Sequence, residues 1–319
     1  MKPTSRFILL TLTLLSFGWA PRARAQENDA QAVAEAHKRA REAKQPASAV
    51  PREPGRHTYD MPALPPEYSA HATVYPSHET ERIGSYRQPR WTAFRRFPNT
   101  RAYVRPAGTM AFEYWLESKY NLKDSEEVRH RSQFEFEFGL GNRLQFDVYL
   151  QTQQLGHDGA LELHAEKLEL RYALANWGVI PLNPTLYAEV VRQHDAPVKL
   201  EGKILLAEQF TSRLFFASNI IYERELGDDQ EAEYAITGAL AMSLFDSRFS
   251  AGLELKLETV DVAGARLAFD NYEVLGGPTL FWSPVDPMRV LATFLFGAEV
   301  EGDTTIPLFE PTLIVGWEI

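Results

Sequence analysis

The chain contains no cysteine. That excludes disulfide staples and thiolate metal sites, and it is compatible with an oxidising compartment. Long hydrophobic runs are also missing. The uncharged stretch at residues 7–20 falls short of the roughly 20 residues a spanning helix needs, and mean hydropathy is −0.30. A membrane protein of this composition has to be a barrel, because alternation halves the apolar signal of each span. There is no glycine-rich phosphate loop, no His-Glu-x-x-His and no dinucleotide fingerprint, so no enzyme class, cofactor or metal is indicated.

The N-terminus begins Met1-Lys2-Pro3-Thr4-Ser5-Arg6, runs through the uncharged stretch and reaches Ala23-Arg24-Ala25. A cationic start, a short apolar core and an A-x-A site describe a secretory signal peptide at 1–25, cleaved near Ala25. Residues 26–50 are rich in alanine and mixed charge, and 51–80 in proline. Such compositions fit a marginal exposed helix and an extended linker. Charge is unevenly spread: residues 1–25 carry +4, 26–108 carry +4 and 109–319 carry −18.

Between residues 82 and 105 there are seven arginines (Arg82, Arg87, Arg90, Arg95, Arg96, Arg101 and Arg105) and no acid. Tyr86, Trp91, Phe94, Phe97 and Tyr103 are interleaved with them. Nucleic-acid binding uses such mixtures, but an exported chain gives no reason to expect it. The acidic remainder supplies a partner within the chain. The segment is therefore expected as a plug or constriction at the periplasmic mouth of whatever residues 109–319 form. Contact with anionic lipid is the competing expectation.

From Thr109 the texture alternates with a period of two. Phe134, Phe136 and Phe138 oppose Gln133, Glu135 and Glu137, and Leu253, Leu255 and Leu257 oppose Glu254, Lys256 and Glu258. About twelve such runs, each with a connection, match an antiparallel up-and-down transmembrane β-barrel over 109–319. Connections alternate between short ones, such as Gly139-Leu-Gly-Asn142, and longer polar ones. Under this topology Trp177, Trp282 and Trp317 form an aromatic girdle at the periplasmic ends. Tyr120, Tyr222, Tyr234 and Tyr272 mark the outer ends. Pro278 and Pro311 fall inside proposed strands, where a missing donor calls for bulges or late strand starts.

The final stretch, residues 309–319, places Leu313, Val315, Trp317 and Ile319 on one face. It resembles the C-terminal signal of bacterial outer-membrane barrels, with Ile319 where phenylalanine is usual. Phe138-Gly-Leu-Gly-Asn-Arg-Leu-Gln-Phe146 resembles the tight turn and following strand of Gram-negative outer-membrane transport-like barrels, among them the putative meta-pathway of phenol degradation group. The resemblance implies an outer-membrane barrel moving small compounds and carries over no catalytic residue. Outer-membrane lipids, the barrel-assembly machinery during insertion and small solutes are the partners it implies; oligomeric state is left open.

The expected lumen lining is Glu113, Glu135, Glu137, Asp147, Glu169, Arg171, Glu189, Glu254, Lys256, Glu273 and Glu299, with Lys167, Lys199, Lys203 and Arg289 sharing the interior. Two readings stand side by side: a hydrated passage favouring cations, or an interior of mutually paired charges without a through-path. The functional expectation is a porin-like or transporter-like barrel passing small solutes. One alternative is a structural barrel anchoring a periplasmic N-terminal segment. A minor one is a lipid-active enzyme built on His130 and Ser132, which share an outward face.

Overall fold

The computed structural model describes residues 81–319 except 125, 195, 228–230, 245–247 and 262–270. The expected signal peptide at 1–25 and residues 26–80 of the expected periplasmic segment lie outside the described residues. Two short strands come first, β1 (Arg82–Ile83) and β2 (Gln88–Pro89), followed by a 3-10 turn at Arg90–Ala93. Residues 94–109 then run without regular structure into the first long strand.

The alternating runs fold into twelve antiparallel strands. These are β3 (Met110–Asn121), β4 (Val128–Gly141), β5 (Leu144–Leu155), β6 (Glu162–Ala173), β7 (Thr185–Gln193) and β8 (Lys199–Gln209). They continue as β9 (Leu214–Glu225), β10 (Ala232–Ser243), β11 (Phe249–Asp261), β12 (Asn271–Trp282), β13 (Met288–Glu301) and β14 (Thr304–Glu318). Each pairs with its sequence neighbours, and β14 pairs with β3 from Leu308↔Asn121 to Glu318↔Ala111, closing the barrel. Closure leaves no sheet edge, so strand donors and acceptors find partners without water.

The period of two sorts side chains by face. Leu168, Leu170, Ile220, Ile236, Leu253, Leu255 and Phe296 are between 46% and 64% exposed on the outer wall. Glu113, Glu135, Asp147 and Glu254 on the inner wall are 0% exposed. A soluble barrel reverses this arrangement: here the apolar residues face out all round and the charges face in.

Connections differ between the two ends. The end holding the start of β3 has the Asn142–Arg143 turn, where Gly141, Asn142 and Arg143 all take positive φ (95°, 50° and 62°). That left-handed geometry suits a two-residue hairpin. One connection at this end is longer than expected: residues 174–184 between β6 and β7 fold back over the opening. At the opposite, long-loop end five of the six connections have five or more residues, and β13 and β14 alone are joined by two, 302–303.

The prolines are accommodated without bulges. The β12–β13 ladder omits Gly277 and Pro278, and the Thr293 hydroxyl donates to the Pro278 carbonyl at 3.1 Å. The β14–β3 ladder omits Glu310 and Pro311, so Pro311 lies where no donor is called for on that side. The register is the same before and after each gap, which is why no residue is displaced. The shifts that do occur, at Gly139/Gly141 and Gln151/Thr152, lie elsewhere.

A closed barrel with an apolar outer wall resists detergent until heated. Unboiled protein in dodecyl sulfate is expected to migrate faster than boiled protein and to partition into the detergent phase of a two-phase extraction. Recovery in the aqueous phase would contradict the outward apolar wall.

Candidate functional site

The segment before β3 runs inside the barrel. Arg95 reaches Glu113 on β3 and Glu135 on β4, the backbone N–H of Asn99 donates to Glu254 on β11, and Arg101 meets Asn219 on β9 and Tyr149 on β5. Arg105 reaches Glu318 on β14. One short segment touches strands all round the circumference only if they enclose it.

Side-chain amides of the wall take up its backbone. The Asn219 amide accepts from the Arg101 N–H and donates to the Arg101 carbonyl, both at 2.8 Å. Gln145 accepts from the Arg105 N–H at 2.7 Å, and within the segment itself Gln88 of β2 donates to the Val104 carbonyl at 2.8 Å. An irregular buried chain needs such partners, since unpaired backbone groups away from water are costly. Where the segment leaves, Gly108 and Thr109 exchange backbone bonds with Gly139 of β4 at 2.8 and 2.9 Å. A Cβ on Gly139 would stand 2.1 Å from the Pro106 carbonyl, so this approach requires glycine.

Charge does most of the docking. Arg95 donates to Glu113 at 2.7 Å and to Glu135 at 2.9 Å. Arg101 pairs with Glu135 and, at 3.0 Å, with Glu137. Arg105 bridges Glu137 and Glu318, both at 2.9 Å. The wall adds Arg289, 3.4 Å from Glu113, and Arg171, which meets Asp147 at 2.9 Å and also pairs with Glu169. The five carboxylates Glu113, Glu135, Glu137, Asp147 and Glu169 thus face Arg171 and Arg289 from the wall and Arg95, Arg101 and Arg105 from the segment. Without the segment this layer would be short of cations.

Of the seven arginines expected in the plug, Arg95, Arg96, Arg101 and Arg105 are buried. Arg82 and Arg87 are exposed, and Arg90 is half-buried with Glu81 at 3.7 Å. The charge run is therefore split: its first part forms the β1–β2 hairpin, which exposes Arg82 and Arg87 while burying Tyr86 and Gln88, and whose turn at Gly84–Arg87 uses positive φ at both ends (63° and 54°).

Aromatic packing seats the rest. Trp91 stacks on Phe215 with centroids 5.0 Å apart, and Arg96 lies 3.8 Å over Phe281. The inner wall beside them is made of small residues, Ala173, Ala207, Ala217, Ala239 and Ala241, which leave room for these rings. Trp177 belongs to the same cluster: it meets Trp91 edge-on at 5.9 Å and Tyr103 at 5.3 Å and is 8% exposed. This corrects its expected place in a girdle. The long β6–β7 connection folds it inward over the plug, whereas Trp282 and Trp317 face out at 52% and 46% exposure.

The other half of the lumen holds a polar-lined cavity. A cavity of about 210 Å³ lies above Arg95, Pro98, Asn99 and Arg101, which form its floor. Its wall pairs are mostly Lys–Glu: Lys199 with Glu223 and Lys203 with Glu201, both at 2.8 Å, and Lys167 with Glu189 at 3.7 Å. On the far wall Lys256 contacts Glu258 at 2.9 Å and Glu273 at 3.0 Å, and Lys119 pairs with Glu273 and lies 3.8 Å from Glu299. Leu275, Leu295 and Leu308 form an apolar patch among them. The expected lining residues are therefore divided. Glu113, Glu135, Glu137, Asp147, Glu169, Arg171 and Glu254 sit against or beside the plug. Glu189, Lys256, Glu273 and Glu299 belong to the open half.

The alanine face on β10, with Ala235, Ala239 and Ala241 at a spacing of two to four, was the sequence signal for a seated aromatic plug, and it lay outside the expected set. On the outer wall His130 Nδ1 and Ser118 Oγ are 2.7 Å apart, while Ser132 pairs with Thr152 at 2.8 Å. His130 and Ser132 thus bond to different partners.

No protein-family model matches the chain, and no curated protein does, so the resemblance to the phenol-degradation group, carried by the texture of 109–319 and the motif at 138–146, is not confirmed. Solved structures similar to it include the NanC porin, with a TM-score of 0.47 and 10% identity over 65% of this chain and 100% of that one. An outer membrane channel from Pseudomonas putida F1 has a TM-score of 0.47 and 12% identity over 68% and 98%. The KdgM porin in complex with disordered oligogalacturonate has a TM-score of 0.43 and 9% identity over 66% and 99%.

Removing one member of a buried ion pair costs about 3–5 kcal/mol because the other charge stays buried. Arg101→Ala is expected to lose about that much in urea unfolding, and Glu135→Ala a comparable amount. The double variant should lose clearly less than the sum of the two. Additive losses would contradict a shared network.

Proposed function

We propose that the chain is a porin-like outer-membrane barrel of a Gram-negative bacterium. Small polar solutes enter its lumen from the long-loop end, and its own N-terminal segment closes the lumen at the opposite, periplasmic end. The observation that carries this reading is the combination of an apolar outer wall with a lumen divided into a polar-lined vestibule and a plugged half. An anchor with no traffic gains nothing from a polar-lined cavity of about 210 Å³ floored by a separate segment, and filling it with side chains would be the cheaper solution. Apart from its covalent continuation into β3, the plug is held by ion pairs, hydrogen bonds and ring stacking, all of them reversible contacts.

Closure by the plug replaces the expected ring of free carboxylates. In the plugged half the acids are already neutralised, so ion preference on entry depends on the vestibule. The alternative of a purely structural barrel is favoured by the same seal, and one experiment separates the two. In planar bilayers the full chain is expected to give low conductance, and a variant lacking residues 26–105 stable, larger steps. Equal currents would remove the plug from the account, and absence of current in both would favour the structural barrel.

A further inference from the structure

Most cations of the inner wall have a carboxylate partner, but two on β4 do not. Arg129 and Arg131 alternate with outward-facing His130 and Ser132, so both belong to the inner face, beyond Glu135 toward the long-loop end. Arg131 lines the vestibule and donates from Nε to the Gln153 amide at 2.9 Å. Arg129 Nε is buried with no hydrogen-bond partner. Among the described residues no carboxylate lies within ion-pair distance of either guanidinium. Glu117, the nearest acid in register, is opposite Arg131 on β3 without forming a pair. Lys167, two strands away, makes only the long 3.7 Å contact with Glu189.

The neutral side chains beside them are Gln133, Gln151 and Gln153, whose amides offer both donors and acceptors. Gln151 donates to Gln133 at 3.2 Å. The aromatic faces of the vestibule are already covered by cations: Arg95 lies 3.9 Å over Trp115, and Lys203 4.4 Å over Tyr187. An apolar or aromatic solute therefore finds no bare ring. A guanidinium presents a planar fork that matches a carboxylate bidentately, and both are half-buried here without a carboxylate to offset their charge, which a bound anion would supply.

We propose that Arg131, which lines the vestibule, forms its solute-binding step together with Arg129, the next inward residue of β4 beyond the cavity lining. They take the carboxylate of a small hydroxylated acid, while the glutamine amides take its hydroxyls. This assignment rests on the porin-like reading for its role but not for its binding. The cavity holds far more than the ~15 Å³ that admits one water, and the floor formed by Arg95, Pro98, Asn99 and Arg101 stops the solute at this level.

The test uses the full chain in detergent micelles at low ionic strength, with gluconate as probe and sorbitol as the control that keeps the hydroxyls but lacks the carboxylate. Calorimetric titration is expected to show gluconate binding at least tenfold tighter than sorbitol. Arg131→Gln should weaken gluconate at least tenfold and leave sorbitol unchanged, with the heat-dependent gel shift confirming that the variant is folded. Glu117→Gln should tighten gluconate several-fold by removing the opposing charge. Equal binding of gluconate and sorbitol would overturn the proposal, as would undiminished gluconate binding in Arg131→Gln or weaker binding in Glu117→Gln. Binding needs no open plug, so gluconate affinity without current in the variant lacking residues 26–105 would leave the site standing and remove the channel. Current without gluconate affinity would do the reverse.

Discussion

The structure depends on arginine–carboxylate pairing inside a barrel. Carboxylates moved from water into a closed wall are costly, and their attraction to a cation offsets this only when geometry is good and remaining lone pairs are satisfied. Arg95, Arg101 and Arg105 meet that requirement because each guanidinium serves two carboxylates: Glu113 and Glu135, Glu135 and Glu137, Glu137 and Glu318. The acids are shared in a chain along β3, β4 and β14, so the segment adds a connected network where isolated pairs would be weaker. Barrel and plug are electrostatically incomplete without each other.

Barrel size explains why a plug exists. Eight strands enclose just enough space for side chains, while sixteen leave an aqueous channel. Twelve strands fall between, with more room than inward side chains can fill. The chain fills one half with a segment of its own and leaves a polar-lined cavity in the other. Inner-wall composition follows that division. Beside the plug the wall carries alanines at 173, 207, 217, 239 and 241, which make room for Trp91 and Phe97. Around the vestibule it carries lysines, glutamates and glutamines long enough to reach into the cavity.

The strands were readable in the sequence because alternation is a local property. Phe134, Phe136 and Phe138 against Gln133, Glu135 and Glu137 show a strand, its two faces and which face meets water. Closure by β14 was readable for the same reason, from Leu313, Val315 and Trp317. What depended on contacts distant in sequence was not. Trp177 reads like its counterparts Trp282 and Trp317 at a strand end, but the long β6–β7 connection turns it inward, and nothing local to residue 177 signals this. Arg90 and Arg95 are five residues apart in one charge run. Only the second enters the lumen, because the turn at Gly84–Arg87 and the 3-10 turn at Arg90–Ala93 decide where the chain crosses the rim. Net charge indicated that the segment and the barrel belong together, while side-chain volume on the opposite wall decided where each residue would sit.

The contacts holding the plug are unevenly distributed. Its C-terminal end is tied to β4 by the backbone bonds of Gly108 and Thr109 with Gly139, and it continues covalently into β3. Its innermost turn at Pro98 and Asn99 is held by hydrogen bonds to Glu254, with no cation among the described residues facing that carboxylate at ion-pair distance. Hydrogen bonds are weaker restraints than the shared arginine pairs on either side. The Pro98–Asn99 turn in the floor of the vestibule is thus less firmly held than the arginines on either side of it, and residues 106–109 are tied to the wall through backbone bonds.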